Sequence, residues 1–300
     1  MRSWRLPLHS ELFNLQSGVR LVRGELIVDG FSMFSQLLML IVGLLALLPM
    51  IDRTGSRVSA FAGQPSDIPG SFQEEQTERR GYQRSEVLPL SLFSLGGMML
   101  FPMANSILTL FVALEIISLP LYAMTAMARY RRLLSQEAAL KYFVLGAFAS
   151  GFMLMGMSLL YGYSGSLLLD QLALAIPYQI ASPALLLTGA ALMMVGLLFK
   201  IGAAPFHAWT PDVYQGAPTP VTGFMAAGVK AAAFLAMLRF FSTVVVQVEG
   251  SFKPFLWTVA ILTMMVGTIL RFGARQYQAD VGLLLDCPCW FHLIAFTKGR

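Results

Sequence analysis

The sequence predicts an all-α, multi-pass membrane protein, and composition is the first reason. Of its 300 residues, 56% are hydrophobic and 12% are charged, and the mean hydropathy is +0.67. A soluble domain carries about 25% charged residues, so this composition excludes an ordinary soluble protein. The net charge of +5 does not indicate a nucleic-acid partner, because the arginines cluster between apolar runs, where they set membrane orientation. We therefore expect a lipid bilayer around the chain and no nucleic acid on it.

Long apolar runs are the second reason, since a helix needs about 20 apolar residues to cross a bilayer. They predict about seven spans in one membrane domain (31–272), covering residues 31–50, 87–104, 106–128, 138–163, 183–204, 219–241 and 255–270. Residues 1–30 are predicted to be extramembrane, and the polar stretch 51–86 is predicted to be a flexible loop. Small residues in the fourth run predict close helix packing.

The positions of proline and arginine predict where a helix is interrupted and how the chain is oriented in the membrane. Pro205 follows Gly202 closely, which predicts an interrupted helix near Lys200–Pro205. The loops after the first and third spans carry arginines, whereas those after the second and fourth carry none. The arginine-bearing loops, 51–86 and 128–132, are therefore expected on the cytoplasmic side.

Two charged residues lie near the middle of predicted spans, Glu115 in the third and Lys230 in the sixth. A charge at the bilayer centre costs roughly 2.5–3.5 kcal/mol on insertion scales, so such residues face a protein or water-lined interior. In low dielectric a lysine and a carboxylic acid exchange protons more readily than in water. We interpret them as a proton or ion path, with a buried ion pair between helices as the alternative.

Three further residues are candidates for the same path. Lys200 lies beside the predicted break, where interrupted helices expose backbone groups to a cavity, although a lysine near a helix end can also snorkel. Lys141 is either an interfacial anchor or a proton relay. His207 is either a relay near neutral pH or a histidine at a helix end, and Asp212 is expected to cap or turn the connector.

Cofactor motifs are missing from the sequence. It contains no Gly-rich phosphate fingerprint, no Walker loop, no Cys-x-x-Cys pair and no His-x-x-x-His. Cys287, Cys289 and His292 lie close together, but we do not expect them to form a metal site. Haem, iron–sulfur and phosphate chemistry are therefore not predicted for this chain.

Four long strings resemble the antiporter-like membrane subunits of respiratory complex I, in particular the subunit N family. They are VDGFSMF (28–34), LFVALEIISLPLYAM (110–124), EAALKYFVLGAFASGF (137–152) and GLLFKIGAAPFHAWTPDVYQGAPTPV (196–221). The resemblance covers about residues 24–280. It implies a fourteen-span fold built on inverted repeats, in which Glu115, Lys200 and Lys230 belong to a charged axis across the membrane. Lys141 and His207 would then be further relays.

The resemblance also implies a function. The chain would move protons as a subunit of a proton-translocating NADH:quinone oxidoreductase in the bacterial cell membrane, driven by quinone reduction in other subunits. It would bind no cofactor itself, because NADH and quinone are used by the whole complex, and its partners would be the other membrane subunits. One alternative is a subunit of a multi-subunit Na⁺/H⁺ antiporter or membrane hydrogenase. Another is a truncated remnant without a transport role.

The sequence departs from the family at both ends. The family has two spans before VDGFSMF that residues 1–23 do not match, which predicts a truncated start. Residues 273–300 depart from its pattern, ending VGLLLDCPCWFHLIAFTKGR. Read one base forward, codons for Cys-Pro-Cys-Trp-Phe-His give Ala-His-Ala-Gly-Phe, which looks like the family. We therefore hypothesise a frame change near residues 281–286.

Overall fold

The structure is a computed structural model that describes residues 18–51, 61, 71–79, 86–128, 132–178 and 181–273. The hypothesised frame change, both cysteines and His292 lie outside these described residues, as do residues 1–17 and most of the predicted flexible loop.

A short β-hairpin opens the described chain, where the sequence predicted only an extramembrane lead-in. Strands β1 (Val19–Leu21) and β2 (Leu26–Val28) pair antiparallel, with Arg20 opposite Ile27. Asn105 holds the turn between them, because its side-chain amide donates to the carbonyl oxygen of Gly24 (2.9 Å) and its backbone N–H to that of Glu25 (2.8 Å). The hairpin is thereby fastened to the end of the helix bundle.

The rest of the described chain is helical. Its α-helices are α1 Gly30–Ile51, α2 Phe72–Arg79, α3 Val87–Leu100, α4 Ile107–Thr125, α5 Arg132–Ser164, α6 Leu169–Ala175, α7 Pro183–Ile201, α8 Trp209–Gly216, α9 Thr219–Phe224, α10 Lys230–Thr243 and α11 Glu249–Gly273. A π-helical turn, Met225–Val229, joins α9 to α10.

Six helical segments within the described ranges are long and apolar enough to cross a membrane: 30–50, 107–125, 132–164, 183–201, 219–243 and 252–269. The remaining predicted span is shorter, because α3 has 14 residues and continues only as the 3₁₀ turn Phe101–Met103. The all-α, multi-pass prediction is confirmed. Helices α2, α6 and α8 are additions in stretches that the apolar runs did not mark.

Helices α5 and α7 pack with their backbones in contact. A Cβ atom on Gly156 of α5 would lie 2.5 Å from the backbone nitrogen of Met193 and 2.7 Å from the carbonyl oxygen of Gly189, both on α7. The close approach expected from small residues therefore occurs at Gly156. At Gly151, by contrast, an added Cβ would meet nothing within 4 Å.

Helix α7 ends at Gly202, which adopts the left-handed conformation (φ 83°) that glycine favours. The backbone N–H groups of Gly202 and Ala203 both donate to the carbonyl oxygen of Leu198 at 3.0 Å, which closes the helix. Residues 203–208 form an irregular connector before α8 begins at Trp209. The predicted interruption near Lys200–Pro205 is therefore present.

The α5–α7 contact yields a stability test. Gly156→Ala is expected to lower stability by about 1–3 kcal/mol, because the added methyl group overlaps backbone atoms that cannot move aside cheaply. Gly151→Ala, in the same helix, is the matched control and is expected not to destabilise. The thermal unfolding midpoint in detergent measures both, and equal midpoints for the two variants contradict the packing argument.

Candidate functional site

Lys200 lies in the last turn of α7 with 2% of its surface exposed. Its Nζ donates to the Ser118 hydroxyl on α4 (2.8 Å) and to the Tyr142 hydroxyl on α5 (3.0 Å). Nζ is much closer to that hydroxyl than to the ring centroid (5.3 Å), so the contact is a hydrogen bond rather than a cation–π interaction. Lys200 therefore does not snorkel to an interface.

In the part of the chain that the structure describes, no carboxylate is in direct contact with this ammonium. Across the described ranges, Lys200 forms no ion pair within 4.0 Å. Two neutral hydroxyls hold it instead, brought together because α5 packs against both α4 and α7. The result is a buried cation with hydrogen bonds but without a counter-ion in contact.

Glu115 lies one helical turn before Ser118, and residues three apart in a helix share a face. The carboxylate is half-buried, and its Oε1 accepts a hydrogen bond of 2.5 Å from the Ser150 hydroxyl on α5. Glu115 and Lys200 are thus each bonded to a serine, Glu115 to one on α5 and Lys200 to one on α4.

A small cavity joins these two serines. Its volume is about 10 Å³, and its polar lining is Ser118, Tyr122, Ser150 and Lys200. That space is about what one water molecule needs. Gly146 helps to open it, because a Cβ atom there would lie 2.1 Å from the Tyr122 hydroxyl. One water in the cavity would link the serine bound to Glu115 with the serine bound to Lys200.

Lys230 begins α10, directly after the π-helical turn, and is 6% exposed. Its Nζ lies 5.6 Å from the ring centroid of Tyr214 on α8, within the range of a cation–π contact. A π turn inside a helix is rare and frequently occurs at functional sites. The structure thus buries both lysines that the sequence marked.

A row of aromatic rings separates the two lysines. Tyr142 stacks on Trp209 (centroids 4.8 Å apart, planes at 14°), and Trp209 meets Tyr214 edge to face (6.1 Å). The Trp209 indole N–H donates to the carbonyl oxygen of Phe199 (3.0 Å) at the end of α7, which also accepts the backbone N–H of Gly202 (3.0 Å). The broken helix therefore carries Trp209 back against the residue that precedes Lys200.

Lys141 and Asp212 form a separate surface cluster. Lys141 Nζ contacts Asp212 Oδ2 (2.7 Å) and Glu137 Oε1 (2.8 Å), and all three side chains are largely exposed. Asp212 lies in the first turn of α8, where a negative charge interacts favourably with the helix dipole. Its side chain accepts a hydrogen bond from Lys141 and does not cap the helix as expected. The structure does not join Lys141 to the buried axis.

His207 lies in the connector between α7 and α8. It is half-buried, and within the described residues its buried Nδ1 has no hydrogen-bond partner. Partial burial lowers the pKa of His207 below its ordinary value, because desolvation disfavours the charged imidazolium. The side chain is therefore neutral at pH 7.

The sequence reasoning missed a buried ion pair. Arg239 Nη2 on α10 lies 2.8 Å from Asp29 Oδ1 at the start of α1, and the side chains are only 2% and 1% exposed. One signal was available, because an arginine inside an apolar run is as costly as a lysine. The sequence could not identify its partner, which lies 210 residues away.

No metal site was predicted for this chain, and the residues weighed for one, Cys287, Cys289 and His292, lie outside the described part. In the described part of the chain, no three His, Cys, Asp or Glu residues group together as metal ligands.

Comparison with known proteins identifies the family. Residues 104–278 match the family described as "NADH:quinone oxidoreductase/Mrp antiporter, TM". A Nocardioides protein named NADH-quinone oxidoreductase subunit N is 54% identical over 273 residues, covering 88% of this chain and 51% of that relative. A Mycobacterium tuberculosis protein of the same name is 49% identical over 315 residues, covering 94% of this chain and 59% of the relative.

Solved structures agree with these sequence matches. A chain of respiratory complex I from Thermus thermophilus has a TM-score of 0.72 and 32% identity, covering 98% of this chain and 56% of that one. A chain of the Mrp complex from a Dietzia species has a TM-score of 0.68 and 22% identity, covering 91% and 46%, which shows a shared fold.

This chain thus spans about half the length of the first of these relatives. Its apolar helices and bacterial relatives make it a multi-pass protein of the bacterial cell membrane. The resemblance seen in the four sequence strings is confirmed, and the chain belongs to the family of transmembrane proteins of NADH:quinone oxidoreductases and Mrp antiporters.

Proposed function

We propose that this chain moves protons across the membrane as part of a subunit N of NADH:quinone oxidoreductase. The observation that carries the proposal is the Lys200 ammonium, which is 2% exposed and bonded to two neutral hydroxyls beside a cavity of water size. Glu115, Lys200 and Lys230 are the proton-path residues. NADH oxidation and quinone reduction take place in other subunits, and this chain holds no cofactor.

A purely structural lysine would be expected to bind a carboxylate. Moving an ion out of water costs several kcal/mol even after relaxation, and a close counter-ion in good geometry recovers part of it. Arg239 follows that rule, with a carboxylate oxygen at 2.8 Å, whereas among the described residues the Lys200 ammonium is hydrogen-bonded to two hydroxyls and paired with no carboxylate. Because a hydroxyl can accept one proton while it donates another, hydroxyl partners suit proton exchange better than helix fastening.

Hydroxyl groups make the transfer possible, because each can accept one proton while it donates another. The Ser150 hydroxyl donates to the Glu115 carboxylate. If its proton moves to the carboxylate, the serine oxygen takes a replacement from a water in the cavity. That water takes one in turn from the Lys200 ammonium through Ser118. The net result is one proton moved from Lys200 to Glu115, and the reverse sequence returns it.

The remaining candidates belong to two other parts of the proposed path. Lys230 is the next proton site, beyond the three rings. Lys141 and Asp212 form an exposed charged pair that suits proton uptake from water, and neutral His207 in the connector can accept a proton on its one unprotonated ring nitrogen. The other membrane subunits of the complex are the partners of this chain.

A subunit of a multi-subunit Na⁺/H⁺ antiporter is the second candidate, because the matched family includes Mrp antiporters. Purification of the native assembly separates the two candidates. Recovery of the chain with quinone-reducing subunits supports the first, and recovery with antiporter subunits alone supports the second.

Removing the buried charges tests the proton path. Lys200→Met, Lys230→Met and Glu115→Gln keep side-chain size, and each is expected to slow proton transfer through this chain by roughly a hundredfold, the lower range for a positioned proton donor. The measurement is the rate of NADH-driven acidification inside inverted vesicles, divided by the rate of NADH oxidation. Lys253→Met is the control for removing a lysine. Unchanged pumping in all three path variants, with normal assembly, contradicts the proposal.

The Tyr142 hydroxyl provides a finer test. Tyr142→Phe removes one of the two acceptors that hold Lys200 while keeping the ring that stacks on Trp209. A hydrogen bond to a charged group contributes about 1.5–3 kcal/mol, so proton transfer should slow by about tenfold or more. Tyr163→Phe, a buried tyrosine in the same helix, is the control. Equal pumping by both variants argues against a role for the hydroxyl.

A Lys141 variant tests whether this residue takes up protons or only stabilises the fold. Its ion pairs are exposed, so Lys141→Ala is expected to leave the thermal unfolding midpoint unchanged, and as an uptake group its loss should reduce pumping without abolishing it, because water can replace an exposed relay. The midpoint and the pumping ratio are measured on the same preparation. A lowered midpoint with normal pumping identifies Lys141 as an interfacial anchor instead.

A further inference from the structure

Arg239 connects three parts of the chain. Its Nη2 binds Asp29 Oδ1 at 2.8 Å, its Nε donates to the carbonyl oxygen of Pro102, and its guanidinium lies 5.1 Å from the ring centroid of Phe31. These contacts tie α10 to the start of α1 and to the 3₁₀ turn after α3. All of them lie at the end of the bundle that carries the hairpin.

Asp29 is itself held in place by the start of α1. Its Oδ1 accepts a hydrogen bond from the Ser32 backbone N–H (2.8 Å), and the Ser32 hydroxyl accepts one from the Asp29 backbone N–H (2.8 Å). This is the reciprocal arrangement of a helix-capping residue. Arg239 therefore binds a carboxylate whose position is already determined by another helix.

Within the described residues, the Asp29–Arg239 ion pair leaves polar atoms unsatisfied, which limits its contribution to stability. Asp29 Oδ2 and Arg239 Nη1 are buried without a hydrogen-bond partner in the described part of the chain. A buried ion pair stabilises a fold only when its remaining polar atoms are satisfied, and the best-attested use of an imperfect one is to fix the register of packed elements. The geometry thus favours a role in orientation over a role in stability.

The rotation of helix α10 about its own axis must be fixed by contacts of this kind. The π turn before Lys230 holds an extra residue, and its conversion to α-helical form would rotate the following helix by about 100°. Lys230 would then leave the Tyr214 ring. Arg239 lies nine residues beyond Lys230, about 13 Å along the same helix, and its contacts resist that rotation.

We propose that Arg239 is a positioning residue whose contacts with Asp29 and the Pro102 carbonyl hold Lys230 against Tyr214. This rests on the proposed function only in treating Lys230 as a proton site. The orientation of α10 itself can be measured without any pumping assay.

Labelling of a cysteine at position 230 measures that orientation. In the purified assembly, with Cys287→Ser and Cys289→Ser, the Lys230→Cys side chain should react slowly with a membrane-permeant maleimide. Adding Arg239→Ala should raise the rate by at least about tenfold, because labelling follows the population of the exposed state. Arg239→Lys should stay near the slow rate, and Ser242→Ala in the same helix is the control. Equal rates in the Arg239→Ala and control proteins overturn the proposal.

A milder variant covers the case in which Arg239→Ala does not assemble. Asp29→Asn keeps the side-chain oxygen that caps α1 but removes the negative charge that Arg239 contacts. Labelling of position 230 faster than in the Ser242→Ala control supports the proposal, and labelling at the control rate overturns it.

Pumping provides the second readout, with Lys230 intact. Arg239→Gln should lower the protons moved per NADH by about tenfold, as loss of one positioned group does, while Arg239→Lys restores at least half of the ratio. If Lys230→Met leaves pumping unchanged, the proposed function fails, but the labelling rates still decide the orientation of α10. Rapid labelling with normal pumping would mean that Arg239 orients the helix without serving proton transfer, which also overturns its role as a positioning residue.

Discussion

The structure depends on burying the Lys200 ammonium among hydroxyl groups instead of against a carboxylate. Bulk water does not surround an ion that is 2% exposed, so its N–H donors need acceptors inside the protein or in the adjoining cavity. Ser118 and Tyr142 supply two, from two different helices. Their positions require α4, α5 and α7 to pack closely, and the glycine contact between α5 and α7 allows that approach. The packing of the helices therefore determines which groups surround Lys200.

The interrupted helix contributes as much as the continuous ones. Because α7 stops before Gly202, its last carbonyl groups can accept hydrogen bonds from groups that follow the helix. One of them, Phe199, accepts the indole N–H of Trp209, which the chain brings back after six irregular residues. The ring then stacks on Tyr142 and meets Tyr214, so a single break brings aromatic side chains between the two lysines. A continuous helix would have carried Trp209 well past Lys200.

The chain contains two kinds of buried cation, and their surroundings suit different tasks. Arg239 cannot lose its proton, contacts a carboxylate and a carbonyl oxygen, and joins α10 to the start of α1. Lys200 can lose its proton, contacts hydroxyls that can pass one on, and borders a cavity of water size. Exchanging the two residue types would leave a permanent charge where proton exchange is proposed and a labile one where helices are fastened.

The sequence by itself determined the fold class, most of the spans, the break after Lys200 and the burial of Lys230. Apolar length and the cost of a charge in lipid are local properties, readable from one segment at a time. Only the tertiary structure decided which groups meet. It paired Lys200 with Ser118 and Tyr142, sent Asp212 to Lys141 instead of a cap, shortened α3, and joined Asp29 to Arg239. These outcomes follow from packing between segments far apart in the chain, and a contact across 210 residues leaves no periodicity in the sequence that could reveal it.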